Sequence, residues 1–248
     1  MSIWIYTDAD NTLWDTDAVF AEAQLALLSA AERIAGEQAQ TPQRLQFVRQ
    51  FDQAIAAHHH SRLGYPPALL VRALGEGLRG SAAAVVAQRL LAEGSVPTND
   101  EAEALETYAS MLSRVPPILG GVRDGLQLAR EHAIPIYVIS EAPLESIQTR
   151  LRALEFEQLT AGALSAQKSP ELYARLKQRA APRRAVMVGD QLDRDIRFAG
   201  AAGLQTILVK SRFRPNWTQT AETANADAVV DDFLAGINWA IQSSALPH

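Results

Sequence analysis

Six short β-prone runs constrain this chain more than any other feature: IWIY near the N-terminus, then IPIYVIS, EQLTAGA, RAVMVGD, LQTILVK and ADAVVD in the second half. Helical patterns separate the later ones: VRDGLQLAREH, PLESIQTRLRALEF, PELYARLKQRAAP and LDRDIRFAGAAG, with DFLAGINWAI closing the series. Runs this short and apolar read as strands buried on both faces. Strands that alternate with helices read as a parallel sheet, because each parallel neighbour needs a crossover. The crossovers are expected to be right-handed. The expected fold is α/β, a Rossmann-like parallel sheet in a three-layer core.

Between the first run and the rest, the pattern is helical only. DAVFAEAQLALLSAAERIA carries apolar residues at helical spacing, with no Gly or Pro until Gly36. TPQRLQFVRQFDQAIAA repeats the pattern, with Thr41 as expected cap and Pro42 at the first helical position. PPALLVRALGEGL, SAAAVVAQRLLAEG and TNDEAEALETYASMLSRV follow, separated by Gly- and Pro-containing breaks. Residues 1–15 and 116–248 are therefore expected to form the α/β core, interrupted by an all-helical domain at 16–115.

Composition narrows the function classes. With 248 residues, 48% of them hydrophobic, the chain can bury a sizeable core. A net charge of -5 and the absence of a long basic run give no footprint for nucleic acid. No cysteine is present, which excludes disulfides, thiolate metal sites and cysteine nucleophiles. The sequence MSIWIYTDAD reaches an acid too early for a secretory signal, and no run is long enough to span a membrane. A cytoplasmic protein without membrane or nucleic-acid partners is the expectation.

The polar residues fall where ligands bind to open parallel sheets, beyond the carboxyl ends of the strands. IWIYT runs into Asp8 and Asp10, IPIYVIS ends on Ser140, Lys168 follows the third run, and AVMVGD ends on Asp190, with Asp195 five residues on. Carboxylates crowded in this way repel one another unless something neutralises them. A hard divalent cation such as Mg²⁺ suits carboxylate oxygens, while the metal, Lys168, Ser140 and loop N–H groups suit a phosphate.

The order of these motifs resembles the haloacid dehalogenase-like (HAD) hydrolase superfamily. Asp8-Ala9-Asp10-Asn11-Thr12 matches its first motif, Ser140 its second, Lys168 in QKSPELY its third, and Gly189-Asp190 through Asp195 its fourth. Thr12 and Ser140 are 128 positions apart, against 28 from Ser140 to Lys168 and 22 from Lys168 to Asp190. The extra length lies between the first two motifs, as in members with the helical first-class cap. The resemblance implies a Mg²⁺-dependent phosphatase acting on a small phosphorylated metabolite. Asp8 would be the nucleophile and form an aspartyl-phosphate, and Asp10 the general acid and base. Asp8, the Asp10 carbonyl, Asp190 and Asp195 would hold the metal, with Asp195 ligating or orienting. Ser140 and Lys168 would hold phosphate oxygens, and Thr12 would support the loop after the nucleophile. Asp10 favours phosphate esters over halides, because a halide leaves without a proton.

Other readings stay open at this point. A phosphomutase of the same superfamily would use the same residues and return the phosphoryl group to a sugar phosphate. A signalling receiver domain also carries acids, a hydroxyl and a lysine on a parallel sheet, but lacks a long helical insertion. A non-catalytic binding protein would not need the full motif set. Trp14 is either a wall of the leaving-group pocket or core. Neighbouring residues on a helix diverge, so His58-His59-His60 reads as a polar surface segment; the alternative is that His59, with Arg62, meets substrate oxygens. Asp15 and Asp17 read as solvent-facing or capping residues, and Lys210, Arg212 and Arg214 as a solvated loop. Glu141, beside Ser140, departs from the family pattern and would repel phosphate unless turned outward. No motif specifies the substrate or the oligomeric state.

Overall fold

The computed structural model describes residues 3–60, 64–93, 96–211 and 226–245. These fall into two compact units, one drawn from 1–17 and 115–248, the other from 18–114.

The first unit is built on β1 (Ile3–Thr7), β2 (Ile136–Ser140), β3 (Gly162–Ser165), β4 (Arg184–Gly189), β5 (Gln205–Val209) and β6 (Ala228–Val230). They form one sheet in the order β3-β2-β1-β4-β5-β6. Every pairing is parallel. From β1 the chain moves one way to β2 and β3, then returns past β1 to β4, β5 and β6. The order therefore reverses at β1 and β4, and such a reversal opens a crevice at the carboxyl ends of the strands. Thr7 lies level with both Val138 and Val188, so β1, β2 and β4 bring their last residues to one edge.

The second unit contains α1 (Thr16–Ala35, entering from the first unit), α2 (Arg44–His58), α3 (Pro67–Leu78), α4 (Ala83–Glu93) and α5 (Asn99–Leu112). Their apolar faces share one core, with Leu27 and Leu28, Val48 and Phe51, Leu70 and Leu74, Val86 and Leu90, and Ala104 and Tyr108 buried together. Gly77 is required by this packing, since a Cβ there would fall 2.2 Å from the Phe51 ring. Thr41 does not cap α2. The helix starts at Arg44 after Gln43, and the Thr41 hydroxyl accepts from the Gln43 amide at 3.1 Å in the preceding turn.

Back on the sheet, α6 (Val122–Glu131), α7 (Leu144–Ala153), α8 (Pro170–Ala180), α9 (Arg197–Ala201) and α10 (Phe233–Ala245) complete the described helices. Alternation along β4 shows how the layers form. Val186 and Val188 join Val122, Ile147 and Ile237 of α6, α7 and α10. Ala185 and Met187 point the other way, to Leu172, Leu176 and Ala199 of α8 and α9. Each fully buried aliphatic side chain is worth about 1.5–3 kcal/mol, so both helical layers are firmly held. The third strand starts later than the run EQLTAGA suggests. Phe156 is buried, and the amides of Leu159 and Thr160 turn back onto its carbonyl at 2.9 and 3.1 Å, so pairing begins at Gly162.

Candidate active site

The loop after β1 starts as an extension of the sheet, with the Asp8 amide donating to the Val188 carbonyl at 2.8 Å. It then winds through one tight turn. The amides of Thr12, Leu13 and Trp14 point at the Ala9 carbonyl, at 3.3, 2.8 and 3.4 Å. Asn11 takes a left-handed φ of 60°, which asparagine tolerates better than most residues. This turn folds Thr12 over Asp8, and the Thr12 hydroxyl donates to Asp8 Oδ2 at 3.3 Å. Thr12 thus touches the predicted nucleophile directly.

Lys168 follows β3 and precedes α8, whose N-cap Ser169 accepts from the Leu172 amide at 3.2 Å. Its ammonium pairs with Asp8 Oδ1 and, at 2.6 Å, with Asp195 Oδ1. All three side chains are buried. Asp195 stands on a π-helical turn, Leu192–Ile196, where its Oδ2 accepts from the Gln191 amide at 3.1 Å and its Oδ1 from the Tyr173 hydroxyl at 3.4 Å. That approach needs Gly189, since a Cβ there would lie 2.4 Å from Asp195 Oδ2. Burial works against the charge of Lys168, but Asp195 and Asp8 outweigh it and raise its pKa.

Asp8, Asp190 and Asp195 each offer an oxygen within 4.8 Å of the others. Burial first, then Asp195 and Asp10, pushes the Asp8 carboxyl up to about 7 against the pull of Lys168. Asp190 is also driven well up, by burial and then by Asp8 and Asp195. Its Oδ1 is buried and has no hydrogen-bond partner among the described residues. A buried, unpaired carboxylate oxygen beside two more acids is unfavourable unless a cation meets it. The donor set is all oxygen, as Mg²⁺ requires, so these residues fit that ion.

Asp10 stands at the edge of the cluster. Its Oδ1 accepts from Trp14 Nε1 at 2.9 Å, from the Thr16 hydroxyl at 2.6 Å and from Arg150 Nη1 at 3.0 Å. Its Oδ2 lies 3.4 Å from the Ser140 hydroxyl. Ser140 also accepts from the Ala142 amide at 3.1 Å, so it organises the turn after β2. Glu141 is turned away from a phosphate role. It accepts from the Lys168 amide at 2.9 Å and forms an ion pair with Arg194. The departure from the family pattern therefore ties the β2, β3 and β4 loops together.

A HAD-hydrolase-like family model matches residues 166–235, a span that includes Lys168, Asp190 and Asp195. The matched span is under a third of the chain, and its described residues lie within the sheet unit. No curated protein matches it in sequence. Solved structures share its fold along nearly the full length. A provisionally assigned β-phosphoglucomutase from Thermotoga maritima is 19% identical, with a TM-score of 0.63, covering 99% of this chain and 100% of its own. A HAD family hydrolase from Deinococcus radiodurans R1, with bound phosphate and sodium, is 18% identical at a TM-score of 0.64, covering 97% and 95%. A provisionally assigned HAD-hydrolase from Bacillus subtilis, bound to magnesium, is 16% identical at 0.61, covering 97% and 98%.

The remaining sequence candidates scatter. Trp14 is fully buried among core residues, and its indole N–H meets the site through Asp10. Asp15 and Asp17 line a cavity of about 280 Å³ with Thr12, Asp231 and Asp232, and Lys210 pairs with Asp231 at 2.6 Å. His59 belongs to the helical unit, half-buried, with its ring 4.2 Å from that of His60 and 6.3 Å from that of Tyr65. Arg62, Arg212 and Arg214 lie outside the described residues. Among the described residues, Asp8, Asp190 and Asp195 form the one group of three or more potential ligands that converges. No described helix is long and apolar enough to cross a membrane. Sequence reasoning missed Arg150, Thr16 and Tyr173, which no motif marks because their partners lie on other elements or follow a turn.

Proposed function

We propose that the protein is a Mg²⁺-dependent phosphatase that hydrolyses a small phosphorylated metabolite through a phosphorylated Asp8. One observation carries the reading: Asp8, paired with Lys168, lies in a cluster with Asp190, whose buried Oδ1 has no hydrogen-bond partner among the described residues. The metal-bearing Bacillus subtilis structure and the phosphate-bearing Deinococcus radiodurans structure, alike in fold, support the same ligands.

Asp8, the Asp10 carbonyl and Asp190 would hold the ion, with Asp195 orienting it through the cluster. When bound, Mg²⁺ supplies charge that draws phosphate oxygens in and stabilises negative charge in the transition state. Lys168 keeps the Asp8 carboxylate aimed and, with Ser140, offers donors to phosphate oxygens. An Asp8 oxygen attacks phosphorus, the new O–P bond forms, and the ester P–O bond breaks. Asp10 delivers a proton to the departing alcohol oxygen. In the second step Asp10 takes a proton from water, the water oxygen attacks phosphorus, and the Asp8 O–P bond breaks. Inorganic phosphate leaves and both carboxylates return to their starting states.

The test is phosphate release from p-nitrophenyl phosphate with and without Mg²⁺, for the wild type and Asp8→Asn. Turnover that needs Mg²⁺ and falls about a thousand-fold or more in Asp8→Asn is the expected result. Turnover unchanged by that substitution would sink the mechanism. Interconversion of sugar phosphate isomers without net phosphate release would assign the same site to a phosphomutase.

A further inference from the structure

The geometry points to Arg150 as a positioning residue that fixes which oxygen of Asp10 faces the reacting groups; this rests on the phosphatase reading above. Arg150 lies near the end of α7, whose Ile147 and Leu151 are anchored in the sheet core. Its guanidinium therefore projects from a rigid element. It crosses to Asp10, 140 residues earlier in the chain, and donates through Nη1 to Oδ1 at 3.0 Å. The pair is only partly open to solvent, with side-chain exposures of 18% for Arg150 and 30% for Asp10. The guanidinium also lies over the Trp14 ring, 5.8 Å from its centroid, within the range of a cation–π contact.

Asp10 Oδ1 thus receives three donors, Trp14, Thr16 and Arg150. A carboxylate oxygen with three donors is saturated, so Oδ2, 3.4 Å from the Ser140 hydroxyl, is the oxygen left for chemistry. Trp14 and Thr16 belong to the same stretch of chain as Asp10 and travel with it. Of the three, Arg150 alone ties that carboxylate to α7. Without it the carboxylate keeps Trp14 and Thr16, which move with its own loop, and the long Ser140 contact, so its tie to α7 is lost; a catalytic group misplaced by about 1 Å loses on the order of a hundred-fold in rate.

This predicts a dependence on the leaving group. A nitrophenolate departs without a proton, whereas an alkyl alcohol needs Asp10 in place. Arg150→Met keeps the side-chain stem and removes the donors. Expected for Arg150→Met is a fall of roughly ten- to a hundred-fold in first-turnover alcohol release from glycerol 2-phosphate. First-turnover nitrophenol release should stay within about threefold, and KM within about twofold, because the lost group acts on orientation. A crystal structure of the metal-free variant should show Asp10 Oδ2 turned away from Ser140. If Arg150→Met does not fold, Arg150→Gln is read by the same criteria. Equal losses on both substrates, or a raised KM with kcat unchanged, would overturn the inference. So would an Asp10 carboxylate that keeps its place in the variant crystal. If the wild type releases no phosphate from either ester, the phosphatase reading fails, and the crystal structure still decides the role of Arg150.

Discussion

In the helical unit each buried acid has an organic partner. Asp52 accepts from the Tyr65 hydroxyl at 2.5 Å. Glu101 closes a capping box with Thr98 at the start of α5 and pairs with Arg72 at 3.3 Å. In the sheet unit, three acids crowd round one lysine, and an oxygen of Asp190 has no partner among the described residues. The first arrangement lowers the energy of the fold by itself. The second leaves a local deficit that a bound cation would offset, and such a deficit marks a ligand site more clearly than the presence of acids does.

The contrast breaks most sharply at Asp190. Asp190→Asn should raise the melting temperature of the metal-free protein, because it removes one of three repelling acids. It should also abolish the rise in melting temperature that Mg²⁺ gives the wild type, and lower phosphate release at least a hundred-fold. Thermal scans with and without Mg²⁺ read the first two effects. A metal-free variant less stable than the wild type would show that the cluster is already neutralised from within.

Proton linkage sharpens the same point. Burial, with Asp195 and Asp10, pushes Asp8 up to about 7, above its unfolded value. A carboxyl raised on folding favours the native state at low pH, and that contribution is lost as pH climbs toward 7. The metal-free protein should therefore lose stability between about pH 4 and 7 on this account. Mg²⁺ needs the deprotonated acids, so its stabilising shift should be larger at pH 7.5 than at pH 5. A shift independent of pH would count against Asp8 as a ligand.

The smallest effect belongs to the helical unit. Tyr65→Phe removes the Tyr65 hydroxyl from Asp52 and should cost about 1–3 kcal/mol in urea unfolding. The loss should be the same with and without Mg²⁺, since this pair is complete without an ion. A Mg²⁺-dependent loss would mean that the two units do not manage charge independently.

Much of this was legible in the chain. The alternating runs pointed to a parallel sheet, and the acids, Ser140 and Lys168 stood at strand ends because a parallel sheet delivers every strand end to one edge. Two local readings missed. Thr41 looked like a helix cap, and EQLTAGA like a strand start, because cap and strand signals depend on which neighbouring amide or carbonyl completes the turn. Glu141 looked unfavourable until its partners, the Lys168 amide and Arg194, were in place.

Periodicity and turn chemistry act over a few residues, so the existence of the strands and the residue types at their ends could be read along the chain. The order of strands, which sets β1 beside β4 and brings Asp8 into reach of Asp190, follows from long-range packing. The same packing pairs Lys168 with Asp195 and Arg150 with Asp10. Such pairings join residues far apart in the chain, and their energies depend on burial and distance, which no local pattern records.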